Sequence, residues 1–103
     1  MIKREVTVLA SAVSDLREAI GFYERRQEKL GDYFIDSIIV DLESLSFYGG
    51  IHAKTFGFYR KLAKRFPFAI YYTIKDNSIL VAAVLDMRRK PAWNRNQLRR
   101  RRR

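Results

Sequence analysis

The sequence predicts an α+β fold, in which an N-terminal strand precedes an antiparallel helical hairpin and a small, mainly antiparallel β-sheet. The apolar spacing is helical before Gly49-Gly50 and strand-like after these glycines. Two strongly apolar segments, residues 68–74 and 79–85, are separated only by a polar turn. The length of 103 residues and the hydrophobic share of 48% suit a single folded domain. We therefore expect the order β-α-α-β-β-β, with the hairpin packed on one face of the sheet.

The fold is expected to open with a short strand and a long helix. Residues 2–9 are rich in β-branched types around Val6 and Val8. Ser11 or Ser14 is suited to accept backbone N–H groups at a helix start, and the helix then runs to about residue 30. Its apolar positions share one face: Ala12, Leu16, Ala19, Ile20, Tyr23 and Leu30. Gly31 is expected to end this helix in the left-handed conformation.

A second helix is predicted over residues 33–46, with Asp32 as its N-terminal cap. Its apolar face is broad and contains Phe34, Ile35, Ile38, Ile39, Leu42 and Leu45. Because only a residue or two connects the two helices, they should form an antiparallel hairpin.

Three strands are predicted after the glycines, over residues 56–62, 68–74 and 79–85, and a tight polar turn is predicted over residues 75–78. The last two strands are apolar at nearly every position, which indicates that both faces of the sheet are covered. The hairpin can cover one face. A loop, the C-terminal segment or a partner protein must cover the other.

The positive charge is concentrated at the C-terminus. The net charge is +10, and residues 88–103 hold nine of the 21 Lys and Arg residues and no acid. Residues 1–87 therefore carry 12 basic and 11 acidic side chains, a net charge of +1. We predict one domain over residues 1–95 and a basic, flexible tail over residues 96–103. In that tail, a run of arginines could bind nucleic-acid phosphates or an acidic protein face: Arg99, Arg100, Arg101, Arg102 and Arg103.

The sequence lacks the residues that several classes of function require. The chain has no Cys, so it has no thiolate metal site and no Cys nucleophile. The single histidine, His52, has no second ligand or acid–base partner at a useful spacing, so we expect a structural or exposed role for it. No apolar run approaches the ~20 residues of a membrane span. We expect a cytoplasmic protein with no metal site, no catalytic residues and no cofactor.

The C-terminal half carries a resemblance to a known family. Its segments are Tyr59-Arg60-Lys61-Leu62, then Arg65-Phe66-Pro67-Phe68-Ala69-Ile70-Tyr71-Tyr72, then residues 79–85, then Met87-Arg88-Arg89-Lys90-Pro91-Ala92-Trp93. In order and spacing, they resemble the ParE/RelE toxin superfamily of bacterial toxin–antitoxin modules, and among its branches the ParE-like, plasmid-stabilisation type. The likeness spans roughly residues 5–95. Asp86 departs from it, since many members have a His there.

The resemblance implies a toxin of a type II toxin–antitoxin pair. ParE-like members inhibit DNA gyrase by protein–protein binding, without a hydrolytic site, and a cognate ParD-like antitoxin neutralises them. RelE-like members are ribosome-dependent mRNA endonucleases, which place an Arg in the strand that matches residues 68–74 and a Tyr near the C-terminus. Here that strand contains no cation, and Trp93 lies near the expected Tyr. An indole N–H donates a hydrogen bond but does not titrate usefully, so the RelE-like set is incomplete.

We therefore expect no enzyme activity and a surface that binds the target or the antitoxin. Its expected members are cations and one aromatic residue: Arg60, Arg65, Arg88, Arg89, Trp93 and Arg95. Arg and Trp are favoured at interfaces because they offer large contact areas and several hydrogen bonds. Three alternatives stay open, namely a toxin of the same fold with another target, a RelE-like mRNA endonuclease and a basic nucleic-acid-binding module.

Overall fold

The computed structural model describes residues 3–102, and within them the chain forms an α+β fold of five strands and three helices. The elements are β1 (Glu5–Val8), α1 (Ala10–Arg26), α2 (Leu30–Tyr48), β2 (Lys54–Thr55), β3 (Phe58–Leu62), β4 (Phe68–Lys75), β5 (Ser78–Asp86) and α3 (Pro91–Arg101). The predicted order of strand, helical hairpin and three strands is confirmed. The two-residue strand β2 and the helix α3 are additions to it.

The five strands form one mixed sheet in the order β1-β5-β4-β3-β2. β1 runs parallel to β5, and the other neighbours are antiparallel. The turn between β4 and β5 is the predicted polar one. Asp76 and Asn77 occupy its centre, with φ of 49° and 65°. Two consecutive residues at positive φ match the twist of a two-residue hairpin, and Asp and Asn tolerate that conformation well.

The connection between the helices differs from the prediction. α1 ends at Arg26, and Lys29 rather than Gly31 adopts the left-handed conformation, with φ of 70°. The carboxylate of Glu24 stabilises this turn by accepting the backbone N–H groups of Lys29 and Gly31, each at 2.9 Å. Gly31 lies inside α2, where a Cβ would come within 2.8 Å of the Ile20 carbonyl oxygen. Its role is therefore close helix–helix approach, and α2 begins at Leu30, before the predicted cap Asp32.

The helical hairpin covers one face of the sheet with a large apolar core. Buried residues from both helices and from β4 and β5 form it: Ala12, Leu16, Ala19, Tyr23, Phe34, Ile38, Leu42, Leu45, Phe68, Ile70, Tyr72, Ile79, Val81 and Val84. An aromatic cluster closes one end of this core. The rings of Tyr23 and Phe34 stack with centroids 5.1 Å apart, and Phe66 meets both rings edge-on. Such pairs contribute about 1 kcal/mol each beyond the area they bury.

The C-terminal segment covers the opposite face of the sheet. Residues 96–101, which we expected in a flexible tail, belong to α3, so that prediction is wrong for them. Pro91 suits the first helical position because its missing N–H has no partner there in any helix. Leu98 is 1% exposed and packs against residues of β3, β4 and β5: Phe58, Ala69, Tyr71, Ala82, Ala83 and Leu85. Arg102 follows the helix, and Arg103 lies outside the described residues.

Candidate functional site

Side chains of α1 and α3 bond to the edge of β5, and these bonds help to hold α3 in place. β1 pairs with β5 only as far as Val81, because the chain then turns into α1. A bulge follows, since Tyr71 pairs with Ala83 and Tyr72 with Val81. The carbonyl of the bulged Ala82 accepts hydrogen bonds from Ser11 Oγ at 2.7 Å and Arg101 Nη1 at 3.2 Å. Side chains of α1 and α3 thus replace the missing strand neighbour, which satisfies buried backbone groups.

Arg101 and Asp15 form the strongest polar link between α3 and α1. The two guanidinium nitrogens each donate to one carboxylate oxygen, with Nη2 2.9 Å from Oδ1. Asp15 Oδ2 also accepts the backbone N–H of Val84 at 2.9 Å. Both side chains are mostly buried, with 17% and 13% of their surface exposed. A bidentate, partly desolvated pair of this kind fixes geometry as well as contributing energy, so it fastens the last turn of α3.

A groove of about 390 Å³ separates α1 from α3, and we call it the α1–α3 groove. Trp93, in the first turns of α3, lines it together with Arg89 and Arg101. The Arg89 guanidinium lies over the Trp93 ring, 4.0 Å from its centroid. Glu18 reaches Arg89 only at 4.0 Å, and 77% of its side chain is exposed. Because such an exposed pair is weak, the ring of Trp93 orients Arg89 more than Glu18 does.

Arg88 has a different role, since its contacts are within the domain. Its guanidinium bonds to both carboxylate oxygens of Asp86 and donates to the Tyr23 hydroxyl at 3.2 Å. Burial would raise the pKa of Asp86, but the hydrogen bonds and charge of Arg88 outweigh it and hold that pKa below its usual value. Burial raises the pKa of Tyr23, which keeps this phenol protonated. Arg88 therefore links the loop after β5 to α1.

Three arginines on and directly after α3 form a group that we call the α3 flank: Arg95, Arg99 and Arg102. Arg95 and Arg99 are four residues apart, which places them on one side of the helix, and Arg102 follows its last residue. Arg95 approaches the ring of the exposed Phe56, 5.8 Å from its centroid. Arg102 lies against Gly57, where φ is 87° and a Cβ would be 3.2 Å from Nε. Among residues 3–102, no carboxylate pairs with any arginine of this flank.

Arg60 and Arg65, the remaining predicted members, lie apart from each other. Arg60 is half-buried in β3, opposite Tyr71, on the sheet face that α3 covers. Burial raises the pKa of Tyr71, and the nearby charge of Arg60 opposes that rise. Arg65 is exposed in the loop after β3 and reaches the Tyr33 hydroxyl of α2 at 3.5 Å. Arg65 therefore belongs to the hairpin side of the domain.

The structure thus brings together only part of the expected set. Arg89 and Trp93 meet at the α1–α3 groove, whereas Arg88 bonds to Asp86 and Tyr23 and Arg95 lies against Phe56 on the other flank of α3. Sequence reasoning missed Arg101 as an internal anchor and Asp15 as its partner. A signal for this helix was present, because Pro91 suits a first helical position and the two buried residues of α3, Asn94 and Leu98, are four residues apart.

His52 contacts a buried tyrosine and does not belong to a metal-holding cluster within residues 3–102. His52 Nδ1 is 2.5 Å from the hydroxyl of the buried Tyr72, and that hydroxyl accepts the Gly50 N–H at 2.9 Å. Residues 3–102 contain no cluster of three His, Asp or Glu side chains placed to hold a metal ion. In the same range, no helix is both long enough and apolar enough to cross a membrane.

No protein-family model matches the chain, and no curated protein matches it.

Proposed function

We propose that the chain is a ParE-like toxin of a type II toxin–antitoxin pair, which acts in the bacterial cytoplasm. It inhibits DNA gyrase by protein–protein binding, and a cognate ParD-like antitoxin neutralises it. The observation that carries this proposal is a docked, cationic α3 whose outer arginines have no acidic partner among residues 3–102. The resemblance of residues 5–95 to the ParE-like branch supplies the target.

Rigidity makes α3 suitable for binding a folded partner. Leu98 anchors the helix in the sheet, and the Asp15–Arg101 pair fastens its last turn. Arginines held on a fixed helix lose less conformational entropy on binding than arginines of a free tail. The helix therefore presents preorganised positive charge to an acidic protein surface, which both guides association and sets the orientation of the complex.

The two flanks of α3 have different parts in this proposal. Arg89 and Trp93 form an aromatic–cationic anchor at the mouth of the α1–α3 groove, and such residues dominate binding energies at interfaces. The α3 flank supplies long-range attraction through its exposed guanidinium groups. Arg88 positions the loop that carries Arg89 through its contacts with Asp86 and Tyr23. No metal, cofactor or catalytic residue is required.

A RelE-like nuclease would need a base for the 2′-hydroxyl, an acid for the leaving oxygen and cations on the phosphate. Within 68–74 the strand β4 has no Lys or Arg, and His52 is engaged by Tyr72. A nucleic-acid-binding module would use the α3 flank on phosphates instead of carboxylates. The test below distinguishes both alternative functions from inhibition of gyrase.

The test measures supercoiling of plasmid DNA by purified gyrase in the presence of the purified chain. Wild type should inhibit supercoiling, and Arg89→Ala or Trp93→Ala should weaken inhibition by about tenfold or more. Arg65→Ala is the matched control, because Arg65 lies on the hairpin side, and it should inhibit like wild type. The same proteins are added to a translating ribosome extract and to duplex DNA.

Three results would contradict the proposal. The first is gyrase supercoiling that is unaffected at saturating protein. The second is codon-positioned cleavage of mRNA in the extract. The third is inhibition that increases in proportion to DNA binding and not to gyrase binding. The second result would establish the nuclease, and the third would establish the nucleic-acid-binding module.

A further inference from the structure

The solvent-facing side of α2 exposes three large side chains in one line, which we call the α2 stripe: Tyr33, Val40 and Phe47. They are 50%, 60% and 48% exposed, and they lie on the side of the helix that faces away from the core. Their spacing of seven residues is close to two helical turns, so they form a line about 21 Å long. A contiguous exposed apolar patch of this kind marks an interaction surface.

The serines beside the α2 stripe permit its burial. Ser37 and Ser44 donate their hydroxyl groups to the backbone carbonyls of Phe34 and Asp41, at 2.8 and 2.7 Å. Because these hydroxyl groups already bond within the helix, a partner that covers them leaves no donor unsatisfied. Their small side chains also let a second helix approach closely.

One side of the α2 stripe is acidic. Successive residues of a helix are separated by about 100° of rotation, so Asp36 and Glu43 fall together on one side of the stripe. Both are exposed, and neither forms a salt bridge within residues 3–102. Lys3 and Arg4 line a groove beside Glu43, but Arg4 bonds to the Gly49 carbonyl at 2.7 Å instead.

The other side of the α2 stripe is basic. Asp41 lies on this side, opposite Asp36, and its buried carboxylate accepts the Lys64 N–H at 3.3 Å. The Arg65 guanidinium donates to the Tyr33 hydroxyl at 3.5 Å. These two contacts hold the loop after β3 against α2. The side chains of Lys64 and Arg65 are exposed there, and neither has a carboxylate partner within 4 Å among the described residues.

These two charged sides narrow the choice of partner. A uniformly acidic partner would be repelled by Asp36 and Glu43, and a uniformly basic partner would be repelled by Lys64 and Arg65. The fitting partner carries an apolar line between an acidic and a basic side, in the opposite order. A second copy of this chain has that pattern when the two-fold axis runs parallel to α2, because this rotation places the acidic side of one copy beside the basic side of the other. An antiparallel pair would place like charges together.

We propose that this chain forms a homodimer in which the α2 stripes of two copies pack in parallel. Tyr33, Val40 and Phe47 each meet the same residue of the other copy at the two-fold axis. Their seven-residue repeat is the one that parallel helix pairs use. The proposal does not depend on the proposed function.

The parallel arrangement also matches the charges along the helix. A two-fold axis parallel to α2 keeps each residue at the same height in both copies. Arg65 and Asp36 both lie within about one turn of Tyr33, so Arg65 of each copy faces Asp36 of the other. The basic α3 packs on the opposite face of each sheet, so its charge lies outside the contact and the dimer presents two α3 helices on its outer sides.

Sedimentation equilibrium tests this dimer on the full chain. The mass should rise with concentration from 12.2 kDa to twice that value. Val40→Lys should give a monomer, because two like charges would meet at the two-fold axis. Leu62→Lys is the matched control and should still dimerise, since Leu62 is 57% exposed on the sheet face that α3 covers in part.

Cross-linking tests the orientation, because the chain has no Cys of its own. Val40→Cys and Phe47→Cys should each form a disulfide-linked dimer on mild oxidation, and Leu62→Cys should not. An antiparallel pair would place Phe47 beside Tyr33, so only Val40→Cys would then link to itself.

A charge exchange tests the facing residues. Arg65→Glu should weaken the dimer by about tenfold, because it sets two acids against each other. Adding Asp36→Lys to Arg65→Glu should restore the dimer, and the double variant keeps the net charge of +10.

A mass that stays at 12.2 kDa even at about 1 mM protein would overturn the proposal. So would a dimer that survives Val40→Lys, a cross-link of Val40→Cys without one of Phe47→Cys, or a double variant no tighter than Arg65→Glu. Association that arises only when a different protein, such as the antitoxin, is added would assign the α2 stripe to that protein instead.

Discussion

The two faces of the sheet are covered in different ways. On the hairpin face, fourteen buried residues form a continuous apolar core in which aromatic rings pack against one another. On the α3 face, seven buried residues suffice, and an ion pair fastens the end of the covering helix. The first face depends on apolar burial, which is non-directional and large. The second depends on one leucine, one half-buried tryptophan and one bidentate ion pair.

This difference indicates that the two faces of the sheet have separate roles. The hairpin face supplies most of the apolar burial that stabilises the domain. The α3 face holds a helix that exposes Arg95, Arg99 and Arg100 and buries only Asn94 and Leu98, and a weakly apolar helix of this kind needs directional contacts to stay in one place. The same contacts leave most arginines of α3 free to meet a partner.

The largest expected effect comes from opening the hairpin core. Phe34 is fully buried among three aromatic rings, and Phe34→Ala should lower the free energy of unfolding by about 4 kcal/mol. Leu98→Ala on the other face should cost about 3 kcal/mol and loosen α3 selectively. Urea unfolding and amide exchange measure the two effects. Equal loss of protection throughout the chain in both variants would mean that the faces are not separable.

The sequence predicted the hairpin face well, because its signal is apolar periodicity at positions such as Leu16, Ile38 and Leu42. It did not predict α3, because a run of arginines has the composition of a solvated tail. The docking of α3 depends on Asp15, more than eighty residues earlier, and on a bulge at Ala82. Contacts between such distant positions are not visible in local patterns.

A smaller effect is expected from the ion pair that fastens α3. Asp15→Asn keeps an oxygen that can accept the Val84 N–H but removes the charge that pairs with Arg101. We expect a loss of about 2 kcal/mol and faster amide exchange in the last turn of α3. Glu18→Gln is the matched control, since its contact with Arg89 is long and exposed, and it should change stability by less than about 0.5 kcal/mol. Identical stabilities for the two variants would show that the ion pair does not stabilise the docking of α3.

The smallest effect is a pH dependence of the hairpin face. Burial and then the charge of Lys61 lower the pKa of His52 below its usual value. The unfolded state therefore takes up the proton first, and stability is lost as the pH falls below about 6.5, the ordinary His value. The melting temperature should drop by a few degrees between about pH 7.5 and pH 5. A flatter profile is expected for His52→Gln, and an unchanged profile in that variant would assign the dependence to other groups.

The candidate site was only partly predictable for the same reason as the fold. Arg89 lies in the loop before α3 and Trp93 in its first turn, only four residues later, so their association is local in sequence. The internal roles of Arg88 and Arg101 do not follow from local spacing, because their partners Tyr23 and Asp15 belong to α1. Arg65 shares its charge with the others but lies with Tyr33 on the hairpin side. Residue type identified the candidate residues. Only the fold showed which of their side chains bond within the domain and which are exposed on its surface.

In the proposed function, an ordered helix binds the target, and positive charge alone does not suffice. Asn96→Pro tests it most directly, because residue 96 is exposed in the middle of α3 and the change leaves the net charge at +10. Proline in a helix interior costs about 3 kcal/mol, so α3 should unfold while the hairpin core persists. Inhibition of gyrase supercoiling is measured beside circular dichroism, with Asn96→Ala as the control. We expect Asn96→Pro to lose inhibition and Asn96→Ala to keep it. Full inhibition by an Asn96→Pro protein with unfolded α3 would show instead that positive charge alone binds the target.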